Sequence, residues 1–258
     1  MKKEYKVFTF NLRVEAEVDG INHFRNRKGR ILDTIKSYSP DLIGFQEAND
    51  NMRTWLKSEL PALGYTVVGC GRLKDYRGES TPIAFKNSEF ELVNLETRWL
   101  SGTPGVPGST FKGDQSGCPR LMVAAELSPV SGENFVFLNT HLDHKGSTAR
   151  LLGAIEVTQY LSDKGLPFVL TGDMNAWPDT AEIKAFTSFK TCGRPVIDAT
   201  AALGGTFHAF GTREKMSKID YIFTDMTCDA AKSFVLPDEP KEGIYISDHR
   251  PVCAFVEI

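Results

Sequence analysis

The sequence predicts an α/β protein, and three observations carry the prediction. Apolar runs of strand length recur along the chain, at residues 6–10, 42–45, 135–138, 168–170 and 219–223. Between them lie segments whose apolar residues return every three or four positions, the spacing of an amphipathic helix. At 258 residues, with 41% hydrophobic and 24% charged side chains, the chain is long enough for one large layered domain.

In order, residues 6–10 form a first strand that ends at Asn11, and the polar and aromatic stretch 19–26 reads as a loop. Ile31, Leu32, Ile35 and Tyr38 make one helical stripe, which Pro40 ends. Residues 42–45 form a buried strand running into Gln46 and Glu47. Met52, Trp55, Leu56 and Leu60 mark a helix over 49–60, and 65–69 a further strand. Residues 83–85 and 90–95 read as a hairpin about Asn87-Ser88-Glu89. Five glycines and three prolines make 101–119 a long surface loop, the kind that carries specificity.

Strands follow at 122–127 and 135–138, the second leading into Asn139-Thr140-His141, and Ser147 opens a helix carrying Leu151, Leu152 and Ile155. Phe168-Val169-Leu170 lacks polar alternation, so both its faces should be covered. It runs through Gly172 into Asp173 and Asn175. Trp177 reads as a lid over the next helix, with an exposed stacking platform as the alternative. Asp179 and Glu182 resemble a capping box for that helix, which carries Ile183 and Phe186. Strands at 219–223 and 252–258 complete the chain. No repeat, low-complexity tract or linker divides it, and residues 1–258 are read as a single domain.

Composition excludes several functions. The net charge of −3 and pI near 6.0 give no global basic bias, which weighs against tight binding of long duplex nucleic acid. Cys70, Cys118, Cys192, Cys228 and Cys253 are scattered, odd in number and form no CxxC pair, so neither a zinc site nor a disulfide framework is expected. No run approaches 18 apolar residues and no export signal is visible after Met1. A cytoplasmic, monomeric protein without membrane contact is the expectation.

The chemistry lies at the strand ends. Apolar strands finish in Asn11, in Glu47, in His141 and in Asp173 with Asn175, and Ser247-Asp248-His249-Arg250-Pro251 leads into the last one. Any one of these could be a turn or capping residue. Together they place carboxylates, amides and imidazoles at loops where sites collect in layered α/β folds. A carboxylate beside a carboxamide suits a hard cation and an attacking water.

Six motifs in order carry a resemblance to a known family: Thr9-Phe10-Asn11, Ile43-Gly44-Phe45-Gln46-Glu47, Asn139-Thr140-His141-Leu142-Asp143-His144, Thr171-Gly172-Asp173-Met174-Asn175, Ile219-Asp220-Tyr221-Ile222-Phe223 and Ser247-Asp248-His249-Arg250-Pro251. The chain resembles the endonuclease/exonuclease/phosphatase superfamily, and most of all its small bacterial members, which are similar to deadenylase catalytic domains. Asn22–Arg27 and Arg98–Ser101 share in that likeness, although Phe24 stands where a tryptophan is more usual. The resemblance implies a four-layer αββα sandwich, with two mixed β-sheets face to face and helices outside (DNase I-like). It also implies hydrolysis of a phosphate ester with Mg²⁺ or Mn²⁺.

Phosphoryl transfer needs charge neutralisation, a positioned nucleophile and a stabilised leaving oxygen. On this resemblance Glu47 would bind the metal, with Asn11 supporting that site or contacting a phosphate oxygen. Asp173 would orient or deprotonate water beside Asn175. His249 would contact phosphate or carry a proton, held by Asp248, and His141 would donate a hydrogen bond to the transition state. Which of Asp173 and His249 is the base stays open. Arg27, Arg72, Arg120, His144 and Asp220 are candidates for substrate contact, with Asp143 and Arg150 beside them. The substrate would be a short single-stranded nucleic acid, a nucleotide or a small phosphorylated metabolite. The alternative is a catalytically silent binding protein on the same fold.

Overall fold

The computed structural model describes residues 3–111 and 117–258. In chain order the elements are β1 (Glu4–Asn11), α1 (Phe24–Tyr38), β2 (Leu42–Gln46), α2 (Asp50–Glu59), β3 (Tyr65–Val68), β4 (Ile83–Lys86), β5 (Phe90–Trp99), β6 (Leu121–Pro129) and β7 (Phe135–His141). They continue with α3 (Ser147–Lys164), β8 (Phe168–Asp173), α4 (Ala181–Ser188), the short β9 (Lys190–Thr191), β10 (Arg194–Pro195) and β11 (Ile197–Asp198), then β12 (Asp220–Thr224), β13 (Phe234–Val235) and β14 (Val252–Glu257).

Two six-stranded sheets result, in the orders β13-β14-β1-β2-β4-β3 and β11-β12-β8-β7-β6-β5. Each is mixed: β1 runs parallel to β2 and β7 parallel to β8, while the other pairs are antiparallel. Strand alternation explains the four layers. On β1, Tyr5 and Val7 face the second sheet, where they join Phe137, Val169 and Ile222 in the central core. Phe8 and Phe10 face the other way and pack on Ile31 and Ile35 of α1 and on Met52 and Leu56 of α2. On the far side, Leu138, Leu170 and Phe223 pack on Val157 and Leu161 of α3 and on Phe186 of α4. The layers are therefore helix, sheet, sheet, helix, as expected.

The sheets touch closely at one end. An added Cβ on Gly44 would lie 2.0 Å from Thr171 Oγ1 and 2.6 Å from Asn139 Oδ1, so only glycine fits there. Gln46 Nε2 donates to Asn139 Oδ1 at 2.8 Å, and Asn139 Nδ2 donates back to the Phe45 carbonyl at 2.6 Å. This polar cross-link marks where the apolar inter-sheet core gives way to the site.

Several local expectations are corrected. The helix predicted from Ile31 starts at Phe24, so the loop over 19–26 shrinks to a 3₁₀ turn at Glu17–Asn22 capped by His23. β4 and β5 are not a hairpin: β4 belongs to the first sheet and β5 to the second. The short Asn87-Ser88-Glu89 turn carries the chain across the sandwich, because Phe85 and Phe90 both point into the same inter-sheet core. The Asp179/Glu182 capping box is absent. Thr180 occupies the N-cap without a side-chain bond, and Glu182 instead accepts from Arg150 Nε at 2.8 Å. Over 101–111 and 117–119 the chain is irregular, as expected, while the rest of that predicted loop lies outside the described residues. Among the described residues, no helix is long and apolar enough to cross a membrane.

Candidate active site

Parity brings the polar residues together. Asn11 shares a strand face with Tyr5 and Val7, His141 with Phe135 and Phe137, Asp173 with Val169, and Asp220 with Ile222. Each is the inward residue at the strand end where the apolar core stops. Asp220 opens β12, but that strand is antiparallel to β8, so its first residue lies opposite Asp173, the last of β8. His249 arrives just ahead of β14, which is antiparallel to β1. Both sheets thus deliver side chains to one cleft, of about 310 Å³, whose walls include Arg13, Glu47, Arg120, His141, Asp173 and His249.

Asn11 ties the two sheets together. Its Nδ2 donates to Glu47 Oε1 and to Asp173 Oδ2, each at 3.0 Å, while its Oδ1 accepts from the Arg13 amide. Glu47 Oε2 accepts from the Val14 amide at 2.9 Å. Asp173 Oδ1 accepts from the Asn175 amide at 2.9 Å, leaving Oδ2 toward the cleft, 3.5 Å from His141 Nε2 and 3.8 Å from His249 Nε2. Glu47, Arg13 and Asn175 all hold left-handed backbone conformations that side chains other than glycine and asparagine rarely adopt. The hydrogen bonds just named keep them there.

The charges sort themselves physically. Burial alone would raise the Glu47 carboxyl, but His249, the Val14 amide, Asn11 and Arg13 hold it below its ordinary range. Burial and the Asp220 carboxylate push Asp173 up to about 7. Burial would lower His249, yet Asp220, by charge and hydrogen bond, with Asp173 and Asp248, raises it to about 10. Burial and the nearby Arg120 and Arg72 keep His141 well below its ordinary value. Near neutrality His249 therefore stands as an imidazolium and His141 as a neutral imidazole. Such opposed environments separate acid from base roles.

Glu47, His141 and Asp173 each offer a ligand atom within 4.8 Å of the others. A hard divalent cation fits this set: Glu47 is held ionised, and a cation would offset the burial and the Asp220 charge that raise Asp173.

Geometry revises several expected roles. Asp220, expected at the substrate, instead orients His249: its Oδ2 accepts from Nδ1 at 2.8 Å and from Thr206 Oγ1 at 2.5 Å. Asp248, expected to hold that ring, has Oδ1 4.0 Å from Nε2, and its Oδ2 lies 3.9 Å from Arg13 Nε. Asn11 presents nitrogen to both carboxylates, so it aligns them rather than ligating a metal. His141 Nε2 accepts from Asn175 Nδ2 at 2.9 Å, so it stands here as an acceptor rather than the expected donor.

Arg27 never reaches the cleft. It is fully buried and donates to the carbonyls of Asn22, Leu12, Ile246 and Arg13, shaping the β1 exit. Arg72 and Arg120 line the cleft with exposed His144. Asp143 accepts from the Lys145 and Gly146 amides, and Arg150 braces that loop through the Asp143 carbonyl. Trp177 is 64% exposed, so it is no lid; its ring joins Arg213 and Met216 around a separate surface hollow.

Arg13 and Phe207 are among the cleft residues that escaped the sequence reading. Arg13 pairs with Asp19 and faces Asp248, and Phe207 packs on His249 at 4.7 Å between ring centroids. Arg13 follows the Thr-Phe-Asn motif by two positions, which was a usable signal; nothing in the sequence marks Phe207.

A model of the endonuclease/exonuclease/phosphatase family matches residues 8–249. The structure is similar to that of an endonuclease/exonuclease/phosphatase from Bacteroides vulgatus, at 29% identity and a TM-score of 0.90, covering 100% of both chains. It is also similar to a mannosyl-6-phosphatase of Bacteroides thetaiotaomicron, at 28% identity and a TM-score of 0.84, covering 98% of this chain and 99% of that one. Danio rerio TDP2, solved with a single-strand DNA product, shares the fold at 17% identity and a TM-score of 0.75, covering 99% of this chain and 100% of that chain.

Proposed function

The chain belongs to the endonuclease/exonuclease/phosphatase family, and from its cleft we infer a divalent-metal-dependent hydrolase that splits phosphate esters by in-line attack of water. The observation that carries this reading is the facing of Asp173 Oδ2 and His249 Nε2 across 3.8 Å beside the Glu47 carboxylate.

Glu47 would hold Mg²⁺ or Mn²⁺, with Asp173 and His141 in reach, and the bound cation would neutralise charge building on the phosphoryl oxygens. Asp173 is the base. Its Oδ1 is fixed by the Asn175 amide, and its Oδ2, which Asn11 also holds, faces the cleft and takes a proton from the attacking water. His249 enters as imidazolium, locked by Asp220 through Nδ1, and offers Nε2–H to a phosphoryl oxygen. Asn11 keeps the two carboxylates in register, and Arg13 steadies Asp248 at the rim. The water O–P bond forms as the ester P–O bond breaks, and the departing oxygen takes a proton from solvent.

A small phosphorylated molecule or a short single-stranded nucleic acid suits the net charge of −3 and a cleft of this volume better than long duplex does. Among the described residues no two cysteines form a disulfide, which fits a reducing, cytoplasmic setting.

The test is hydrolysis of a panel with Mg²⁺, with Mn²⁺ and with EDTA: p-nitrophenyl phosphate, bis-p-nitrophenyl phosphate, oligo(A) RNA, single-stranded DNA and an inositol phosphate. We expect metal-dependent turnover that falls by a factor on the order of 10³ in Asp173→Asn with the fold intact. Turnover surviving in EDTA, or in that variant, would refute the assignment.

A further inference from the structure

The wall of the cleft opposite His249 carries positive charge that the hydrolytic machinery above does not use. Arg120 is only 6% exposed, yet among the described residues no carboxylate forms an ion pair with it, and its Nε has no hydrogen-bond partner. Among the described residues its one side-chain hydrogen bond joins Nη2 to His144 Nδ1, at 3.0 Å. A guanidinium cannot accept, so Arg120 donates, which places the His144 ring proton on Nε2. The neighbouring Arg72 is different. Both its terminal nitrogens fork onto Glu79, at 2.7 and 3.1 Å, so its charge is already matched.

A buried guanidinium left unmatched is costly, and native sites keep one where an anion comes to meet it. Arg120 borders the same recess as Glu47 and His141, so that anion sits at the reacting centre rather than at a remote subsite. His249, held by Asp220 in the same cleft, meets one phosphoryl oxygen, which mono- and diesters both carry. Arg120 adds a charge beside that centre, and it suits the second negative charge that only a monoester carries.

We propose that Arg120, with His144 Nε2–H beside it, seats the terminal oxygens of the scissile group, so that the substrate is a phosphomonoester dianion. This rests on the hydrolase reading given above and adds the ester class. The reaction is then R–O–PO₃²⁻ with water going to R–OH and HPO₄²⁻. One water proton passes to Asp173, and the departing alkoxide takes one from solvent. The product, inorganic phosphate, occupies the seat that the substrate phosphate held.

Two measurements test this. The first is kcat/KM on p-nitrophenyl phosphate and on bis-p-nitrophenyl phosphate, which share a leaving group, for wild type, Arg120→Ala and His144→Ala. Wild type should prefer the monoester, and Arg120→Ala should cut that preference on the order of 100-fold, the size of losing one side of a buried charge pair. His144→Ala, at an exposed position where folding is secure, should cut it less but in the same direction. Preference for the diester, or equal loss on both esters, would overturn the proposal.

The second is calorimetric binding of inorganic phosphate in EDTA, which needs no turnover. Binding should weaken at least tenfold in Arg120→Ala and be partly kept in Arg120→Lys. Phosphate binding indifferent to Arg120 would also overturn it. Absence of hydrolysis of either ester with any metal, alongside Arg120-dependent phosphate binding, would instead strike the hydrolase reading and leave an anion seat without catalysis.

Discussion

Two carboxylates flank His249, and distance decides between them. Asp220 sits 2.8 Å from Nδ1, while Asp248 is 4.0 Å from Nε2 and shares itself with Arg13. Asp220→Asn should therefore lower kcat roughly 100-fold or more, since an amide neither stabilises the imidazolium nor fixes its tautomer. Asp248→Asn should lower it less than about tenfold on the same reasoning. Steady-state kinetics on the best ester of the panel would rank them, and the reverse ranking would restore Asp248 as the holder. The sequence favoured Asp248 because it adjoins His249. Asp220 is 29 residues away, and only the antiparallel register of β12 on β8 brings it in. Arg27 misled for a related reason. It was read as a substrate contact, and nothing local reveals that four backbone carbonyls surround it.

At the scale of elements, strand parity was the legible part. Apolar runs ending in polar residues announced that the site would lie at strand ends, and counting by twos from Val7, Phe137, Val169 and Ile222 reaches Asn11, His141, Asp173 and Asp220. Which sheet a strand joins was not legible. A turn short enough for a hairpin also serves to cross a sandwich, so β4 and β5 were paired wrongly. Gly44 is the element-scale test of the crossing. Its Cα lies against Thr171 and Asn139 of the other sheet, so Gly44→Ala should destabilise the protein by about 3 kcal/mol through overpacking. Urea unfolding reads this directly, and a loss within about 0.5 kcal/mol of zero would mean the sheets are not clamped there.

Across the whole molecule, the site exists only because two sheets meet. Glu47 and Asn11 come from one, Asp173, His141 and Asp220 from the other, and Asn11 Nδ2 touches a carboxylate of each at 3.0 Å. The outer helices contribute none of these groups; they cover the outward faces and leave the inward residues of both sheets to converge. The layered architecture and the identity of most cleft residues could be read from the sequence, because they depend on local pattern and motif. Their partners could not, because those depend on register between strands far apart in the chain.

The central claim, that residues of the two sheets act as one hydrolytic unit, is tested most directly by a double-mutant cycle. Turnover of the preferred ester would be compared for wild type, Glu47→Gln, Asp173→Asn and the double variant, each verified as folded. One unit predicts that the double variant is hardly slower than the worse single variant, since losing either group already disables the centre. If the two losses multiply, Glu47 and Asp173 act independently, and the account of a single centre assembled across the sheets is contradicted.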